Sequence, residues 1–406
     1  MITNISDNGI RPLSIQTSAR IQRVKPSPTL AVTALANQLR AEGRDVIGLA
    51  AGEPDFDTPD HIKQAAIKAI NNGMTKYTPV DGTAGLKQAI INKFKRDNGL
   101  DYTADQVIAS VGGKQAIYNL LQALLNPGDE VIIPAPYWVS YPDMVMLADG
   151  EPVIVAGEMD QAFKITAQQL RDAITGRTRL VIINSPSNPS GKAYTRDELK
   201  ALADVLLEHP DIAILTDDIY EHIVWTDEGF NNILNVCPEL KDRTLVMNGV
   251  SKAYSMTGWR IGYTGGPADI IKGMKKVQSQ STSNPCSIAQ AAAQEALDGD
   301  QSFLAEMCQV FRDRHDFVYN TLNNMDGVEC LPSDGTFYSF PSFHAVIERM
   351  DGIEDDLQLA QLLLEKAEVA LVPGTAFGLP GHIRLSFATD MQSLEKALSR
   401  IQDAIS

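Results

Sequence analysis

The sequence has little cysteine and lacks the commonest metal-binding patterns. Its 406 residues include four cysteines and six histidines, with no CxxC pair, no HExxH motif and no cysteine at zinc-finger spacing from a histidine. Paired cysteines are typical of secreted disulfide frameworks, and clustered cysteines and histidines are typical of zinc sites. The sequence therefore predicts free thiols in a reducing compartment and no metal site.

Long apolar runs and an excess of positive charge are also missing. No window approaches the roughly 18 apolar residues that a membrane helix needs, and the N-terminus lacks the apolar core of a signal peptide. The formal net charge of -16 argues against broad binding to nucleic acid or anionic membrane. A few local cations can still line a pocket for a small anion. These absences predict a cytoplasmic protein that binds small molecules.

The glycine motifs of nucleotide-binding proteins are absent too, since there is no GxxxxGK[ST] and no GxGxxG between a strand and a helix. The length suits two domains, and 44% hydrophobic with 21% charged residues is an ordinary globular composition. We predict an N-terminal extended arm, a smaller α+β domain in two pieces, and a larger α/β domain. Their bounds are 1–25 for the arm, 26–58 with 300–406 for the smaller domain, and 59–299 for the larger domain.

The larger domain is predicted from short valine- and isoleucine-rich runs that alternate with helical stretches. Uninterrupted apolar strands between helices indicate a mainly parallel sheet covered on both faces. The predicted strands are 107–111, 130–134, 153–156, 180–184, 212–216, 244–247 and 261–263. Helices are predicted at 29–42, 60–72, 85–97, 114–125, 138–148, 195–207 and 285–297. In the C-terminal part we predict helices at 301–323, 356–367 and 391–404, with strands at 328–331, 337–340, 369–372 and 382–387.

Polar residues follow several of these strands, at the edge where sites in such sheets lie. The segment NGVSKAYSMTGWRIG, 248–262, sets Lys252 among small and hydroxyl residues, with Arg260 eight residues later. A lysine in a tight pocket can form an imine with an aldehyde, and a nearby arginine can hold a phosphate. Asp217 and Tyr220 follow strand 212–216, where they can pair with a ring nitrogen and a ring oxygen. A surface loop and a helix N-cap are the ordinary alternatives.

Two further segments also directly follow predicted strands. Gly112 and Gly113 connect a strand to a helix, and the free N–H groups of a first helical turn bind anions. Asn188, in the loop SPSNPSG, can donate to a ring oxygen and to a carboxylate, although a plain turn explains the loop equally well.

An aromatic and an arginine complete the set. Trp138, in PAPYWVSYP, offers a flat face to a heteroaromatic ring, and Arg384, in HIRLSFA, can hold a carboxylate with two parallel hydrogen bonds. A core tryptophan and a solvated arginine are the ordinary alternatives for these two.

Taken together and in this order, the segments carry a resemblance that runs from about Arg23 to the C-terminus. The chain resembles the fold-type I pyridoxal-phosphate enzymes of the class I aminotransferases, and most closely the bacterial aspartate aminotransferase subgroup Ib, some of whose members also use prephenate. NPSG and DDIY stand where the family often has NPTG and DEIY, and both changes are conservative. The matching segments are KPSPT, AGEPDF, KYTPVDG, VGGKQ, PYWVSYP, SPSNPSG, DDIYEH, NGVSKAYSMTGWRIGY and VPGTAFG.

The resemblance implies pyridoxal 5'-phosphate as the cofactor and assigns its contacts. Lys252 would hold the cofactor as an imine and later carry the proton, and Asp217 would pair with the ring nitrogen. The other implied contacts are Gly112, Gly113 and Arg260 at the phosphate, Tyr220 and Asn188 at the 3'-oxygen, Trp138 on the ring, and Ser251 and Lys114 close by.

The resemblance also implies the substrate contacts. Arg384 would grip the α-carboxylate together with the backbone of Gly52, with Asn188 and Trp138 alongside. Lys114 would meet a distal carboxylate, which favours aspartate and glutamate over aromatic or neutral amino acids. Tyr77, in KYTP, would reach the cofactor phosphate of a neighbouring subunit, so an obligate homodimer is implied.

These residues predict a ping-pong transamination between L-aspartate and 2-oxoglutarate, with prephenate as a further acceptor. Two alternatives stay open within the same chemistry, namely an aminotransferase for aromatic or neutral amino acids, and a lyase or synthase of the same fold. A ligand-sensing regulator is a third alternative, but such proteins carry an added basic DNA-binding domain for which this acidic chain has no room.

Overall fold

The computed structural model describes residues 16–26 and 28–406, so most of the predicted arm lies outside the described residues. Within them, the helices follow the predicted positions closely. In chain order they are α1 (Ala19–Gln22), α2 (Pro28–Ala41), α3 (Asp60–Asn71), α4 (Ala84–Asn98), α5 (Gly113–Leu124), α6 (Ser140–Leu147), α7 (Ala167–Ala173), α8 (Arg196–Leu207), α9 (Ile233–Val236), α10 (Ala268–Gln280), α11 (Ser287–Asp298), α12 (Phe303–Asn323), α13 (His344–Arg349), α14 (Asp356–Lys366) and α15 (Met391–Ile405).

The strands form one large sheet and two small ones. They are β1 (Ile47–Gly48), β2 (Val107–Ser110), β3 (Glu130–Ala135), β4 (Glu151–Ala156), β5 (Thr178–Asn184), β6 (Ala213–Asp217), β7 (Thr244–Gly249), β8 (Gly262–Gly265), β9 (Tyr338–Ser339), β10 (Val369–Ala370), β11 (Val372–Pro373) and β12 (Ile383–Ser386).

The large sheet has seven strands in the order β2-β8-β7-β6-β5-β3-β4. Strands β3 to β7 are parallel to their neighbours, whereas β8 is antiparallel to both β2 and β7. Alternate side chains pack to opposite faces, so Ile132 and Val181 belong to one apolar core and Ile133 and Ile182 to the other. The predicted α/β fold with a mostly parallel seven-stranded sheet is confirmed.

This strand order brings the predicted site segments to one edge. Strand β2 is parallel to β7 because both are antiparallel to β8, so the carboxyl ends of β2, β3, β5, β6 and β7 meet there. The beginning of β8 reaches the same edge from the opposite direction.

The C-terminal part has its own apolar core around α12, α14 and α15. An antiparallel sheet in the order β11-β12-β9 faces the site edge of the large sheet, and β12 carries Arg384. The parallel pair β1–β10 joins Ile47 to Val369, so the segment before α3 is hydrogen-bonded to the C-terminal part.

Several details differ from the sequence-based expectations. Helices α7, α9, α10 and α13 and strand β1 were not predicted, and the apolar residues of α10 are spaced by lysines and a glycine. The predicted strand 328–331 is wrong, because only an isolated bridge between Glu329 and Ser342 forms there. The described end of the predicted extended arm contains the short helix α1, where Arg20 and Arg23 both bind Asp149. Among the described residues, no helix is long and apolar enough to cross a membrane.

Candidate active site

A cavity of about 490 Å³ opens at the carboxyl edge of the large sheet, against β9 and β12. All the predicted site residues line it except Gly112 and Tyr77. The predicted residues in its wall are Gly52, Gly113, Lys114, Trp138, Asn188, Asp217, Tyr220, Ser251, Lys252, Arg260 and Arg384. The fold thus brings together side chains from segments up to 332 residues apart in sequence.

Asp217 lies at the end of β6 and forms a buried acidic group in the cavity wall. Its Oδ2 accepts a 2.6 Å hydrogen bond from the Tyr141 hydroxyl, and the backbone N–H of Ile219 donates to Oδ1 at 3.3 Å. Burial raises the pKa of Asp217 to about 6, although Tyr141, Ile219 and Lys252 act in the opposite direction. A cation placed beside this carboxyl group would lower its pKa and favour the ionised form.

Lys252 follows β7, and its amine is enclosed by the site. Its Nζ donates to the carbonyl of Gly52 and lies 5.9 Å from the centre of the Tyr220 ring. Burial, with repulsion from Arg384 and Arg260, lowers the pKa of Lys252 to about 8. A large share of neutral amine is therefore present near pH 8, which a nucleophile or a general base requires.

One end of the cavity is built to hold an anion. Helix α5 begins at Gly113, directly after Gly112, whose φ of 82° lies in the left-handed region that favours glycine. A Cβ at Gly112 would lie 2.8 Å from Cζ of Arg260, so a side chain there would displace the guanidinium. The glycine lets Arg260 approach the N–H groups of the helix start, and together they form an anion site.

The cavity also contains Arg384, a buried guanidinium. It donates to Asn188 Oδ1 at 2.9 Å and to the carbonyl of Ala50 at 2.5 Å, and its Cζ lies 4.5 Å from the centre of the Tyr338 ring. Its Nε is buried without a hydrogen-bond partner, and no carboxylate among the described residues forms an ion pair with it. A buried cation in this state requires an anionic ligand.

Lys114 and Trp138 line the same cavity. Lys114 Nζ lies 5.1 Å from the Trp138 ring centre, within range of a cation–π contact. Burial, then repulsion from Arg260, lowers the pKa of Lys114, although Asp143 attracts its charge. Lys114 is therefore a further cation in the cavity wall, and it forms no ion pair with a carboxylate among the described residues.

Tyr77 lies away from this cavity, with 93% of its surface exposed. Conversely, the cavity contains two tyrosines to which the sequence assigned no role. Tyr141 lies within the segment PYWVSYP, three residues after Trp138 and in the first turn of α6. Tyr338 lies in GTFYSF and contacts Tyr220, which is 118 residues away, so no local signal could have indicated it.

Outside the cavity, one group among the described residues has metal-ligand spacing, namely Asp97, Glu221 and His222. The ammonium of Lys93 forms an ion pair with Glu221 and lies 3.9 Å from Asp97. Since a cation of the chain already compensates these carboxylates, the group is an ion-pair network.

Comparison with known proteins gives consistent matches over nearly the whole chain. The family model for aminotransferase class I and II matches residues 44–401. The aspartate/prephenate aminotransferase of Nitrosomonas europaea is 58% identical, and the match covers 96% of this chain and 99% of that protein. The crystal structure of the aspartate aminotransferase from Rhizobium meliloti is 49% identical with a TM-score of 0.94, covering 97% of this chain and 99% of that one. The Thermus thermophilus aspartate aminotransferase with maleate is 43% identical with a TM-score of 0.91, covering 96% and 100%.

Proposed function

The chain belongs to the class I and II aminotransferases, which depend on pyridoxal 5'-phosphate and have PLP fold type I, and from that premise we propose that it is a cytoplasmic aspartate aminotransferase. The reaction moves the amino group of L-aspartate to 2-oxoglutarate, which gives oxaloacetate and L-glutamate. The observation that carries the proposal is the combination of groups in one cavity: an anion site, a buried carboxyl, an enclosed amine, and a buried guanidinium that has no acidic partner among the described residues.

The residues of the cavity fit the cofactor chemically. Pyridoxal phosphate has a dianionic phosphate, a basic ring nitrogen, a ring oxygen and an aldehyde. The cradle at Gly112 and Arg260 suits the phosphate, since a Cβ there would fill it. Asp217 suits the ring nitrogen and Lys252 suits the aldehyde, with Tyr220 and Asn188 near the ring oxygen. We propose that Trp138 stacks on the ring and that Ser251 supports the phosphate end.

The bound cofactor supplies an aldehyde that accepts an amino group and a ring that withdraws electrons from the substrate α-carbon. In our proposal Lys252 would hold the cofactor through Nζ. Its neutral amine would also serve as the base for the substrate α-proton. Asp217 holds a proton at the ring nitrogen throughout. The lowered pKa of Lys252 supports this role, because a protonated amine could not accept the proton.

Recognition of a dicarboxylate is proposed to depend on two cations. Arg384 binds the α-carboxylate with two hydrogen bonds, for which its unpartnered Nε leaves a donor free, and the backbone of Gly52 lies beside it. Lys114 then meets the distal carboxylate. The Thermus thermophilus relative is an aspartate aminotransferase whose structure was solved with maleate, a dicarboxylate.

Prephenate is proposed as a further amino acceptor, because it also carries a second carboxylate and because the Nitrosomonas europaea relative is named for it. The test is a panel of donors and acceptors with the cofactor-loaded protein. We expect oxaloacetate from aspartate plus 2-oxoglutarate, and amination of prephenate by aspartate or glutamate. A preference for aromatic or neutral donors, or release of ammonia without an acceptor, would favour the alternatives within pyridoxal chemistry. Lys252→Ala should show neither turnover nor visible absorption.

We also propose a homodimer in which Tyr77 reaches the cofactor phosphate of the partner subunit. Tyr77 is almost fully exposed, yet its turn is held by buried polar contacts, since Gln290 donates to Thr78 and accepts from the backbone of Thr83. A rigid loop with an exposed aromatic is typical of an interface. Light scattering at several protein concentrations tests whether the protein is a dimer. Tyr77→Phe should weaken cofactor binding without dissociating the dimer.

The domain division remains part of the proposal: an arm at 1–25, a smaller domain of 26–58 with 300–406, and a larger domain of 59–299. The pairing of β1 with β10 supports the assignment of the first piece to the smaller domain. Limited proteolysis near residues 58 and 300 tests it, since linkers between domains are cut first.

A further inference from the structure

Tyr338 lines the cavity, although it belongs to neither set of predicted contacts. It is fully buried on β9, which pairs with β12 so that Tyr338 lies opposite Ser386, two residues from Arg384. Its hydroxyl is 3.0 Å from the hydroxyl of Tyr220, and its ring lies 4.5 Å from the Arg384 guanidinium. Tyr338 thus contacts both Tyr220, which is proposed to bind the ring oxygen, and Arg384, which is proposed to bind the substrate carboxylate.

The backbone at Gly52 lies close to the Tyr338 hydroxyl. A Cβ at Gly52 would lie 2.6 Å from Tyr338 Oη, so any other residue at 52 would push the phenol away. The carbonyl of Gly52 accepts a hydrogen bond from Lys252. The position of Tyr338 is therefore fixed by its neighbours, and its hydroxyl has little freedom to turn elsewhere.

The direction of the hydrogen bond between the two phenols follows from their surroundings. Each hydroxyl has one proton, so if one phenol donates, the other can direct its own proton into the cavity. Burial raises the pKa of both phenols, and the Arg384 charge opposes that rise in both, but its Cζ lies 4.5 Å from the centre of the Tyr338 ring, whereas Asp217 raises the pKa of Tyr220 further. The more acidic phenol is the better donor, so this arrangement favours Tyr338 as the donor and Tyr220 as the acceptor.

We propose that Tyr338 is a positioning residue whose hydroxyl donates to Tyr220, so that the Tyr220 proton is directed at the 3'-oxygen of the cofactor, while its ring holds the Arg384 guanidinium in the plane that meets the substrate carboxylate. This inference rests on the proposed function. The hydroxyl and the ring have separable roles, because a phenylalanine keeps the ring and removes only the hydroxyl.

The test is a pH titration of the visible absorption of the cofactor-loaded protein, a readout that is independent of turnover. A donor at the ring oxygen stabilises negative charge there, so Tyr338→Phe should raise the spectral pKa by about 0.5–1 unit, the equivalent of one neutral hydrogen bond. The KM for aspartate should change by less than about threefold, since the ring over Arg384 is retained. Tyr254→Phe is the matched control, because this buried tyrosine donates to Gln301, outside the cavity, and its loss should leave the spectral pKa unchanged.

A double-mutant cycle separates positioning from a general structural effect. On the background of Tyr220→Phe the substitution Tyr338→Phe should have no further effect on the spectral pKa. A full-sized shift on that background, or an unchanged spectral pKa in the single variant, would overturn the inference. If Tyr338→Phe does not fold, 3-fluorotyrosine at 338 is a near-isosteric replacement with a more acidic hydroxyl, which should lower the spectral pKa; no shift or a rise would again overturn it. A wild-type protein without visible absorption would instead refute the proposed function itself.

Discussion

The Tyr141 hydroxyl donates a 2.6 Å hydrogen bond to Asp217 Oδ2 where neither side chain is more than 3% exposed. The bond favours the charged form of a carboxyl whose pKa burial raises to about 6. The protonation state of Asp217 therefore depends on Tyr141, a residue that does not itself contact the ring nitrogen.

Tyr141→Phe should accordingly weaken cofactor binding. A hydrogen bond to a charged group contributes about 1.5–3 kcal/mol, so the Kd of the cofactor-free protein for pyridoxal phosphate should rise about 10- to 150-fold. Equilibrium dialysis or quenching of tryptophan fluorescence measures it. Tyr118→Phe is the control, since Tyr118 packs against the same apolar core but does not line the cavity. Equal affinities for wild type and Tyr141→Phe would contradict the argument.

The pKa of Lys252 predicts how cofactor capture depends on pH. Only the neutral amine attacks an aldehyde, and burial lowers the pKa of this amine to about 8. The rate of covalent capture by the cofactor-free protein, followed by visible absorption in stopped flow, should rise with pH up to about 8 and then level off. A rate that keeps rising towards pH 10 would instead indicate an ordinary lysine.

The same shift has a consequence for stability. In the unfolded chain Lys252 keeps its proton up to its ordinary pKa, about 10.4, whereas the folded protein releases it near pH 8. The unfolded state binds more protons in this interval, so the free energy of unfolding contributed by Lys252 rises with pH from about 8 to 10.4. Urea unfolding of the cofactor-free protein should show this rise, and Lys252→Met should remove it.

Much of the fold followed from the sequence because its signals are local. Buried parallel strands are continuous valine and isoleucine runs, as in 180–184, and helix ends carry caps such as Thr195, whose hydroxyl accepts from the backbone of Glu198. Helix α10 was missed because lysines and a glycine interrupt its apolar spacing and because one of its buried residues is polar. Buried Gln278 forms hydrogen bonds with Ser110, Asn119 and the carbonyls of Val80 and Ala109.

The site was predictable to the extent that its residues lie in recognisable segments at strand ends. Lys252 and Asp217 each stand in such a segment. The contacts that tune them do not, since the Arg384–Asn188 bond spans 196 residues and the Tyr220–Tyr338 contact spans 118. Pairings of this kind depend on how the C-terminal sheet packs on the large sheet, which no local pattern encodes.

Substrate selectivity gives a prediction that separates the roles of Lys114 and Arg384. Lys114→Ala should raise the KM for aspartate much more than the KM for alanine, because only aspartate has a distal carboxylate. Arg384→Ala is the matched comparison and should weaken both, by about 2–5 kcal/mol in transition-state stabilisation, because both substrates have an α-carboxylate. Steady-state kinetics with both donors measures it. A uniform loss in Lys114→Ala would argue against a distal-carboxylate role and in favour of a cofactor contact.

Behind the site, Lys93 on α4 forms an ion pair with Glu221, which directly follows Tyr220 in sequence. Their side chains are 1% and 3% exposed, and Asn98 bonds to both of them. Burial opposes ionisation of Glu221, but attraction to Lys93 and His222 outweighs it and holds the pKa of Glu221 below its ordinary value. Two charges that compensate each other thus fasten the Tyr220 loop to helix α4.

Lys93→Met should therefore destabilise the protein by about 3–5 kcal/mol, because it leaves the Glu221 carboxylate buried without its counter-charge. Lys95→Met is the control on the same helix: its ion pair with Asp101 spans 2.9 Å, but the side chains are 71% and 73% exposed, so little change in stability is expected. Urea unfolding at a fixed protein concentration measures both. The double variant Lys93→Met/Glu221→Leu should recover most of the loss, since no buried charge then remains unpaired. Equal effects of Lys93→Met and Lys95→Met, or a double variant less stable than Lys93→Met alone, would show that the pair does not act as a buried charge pair.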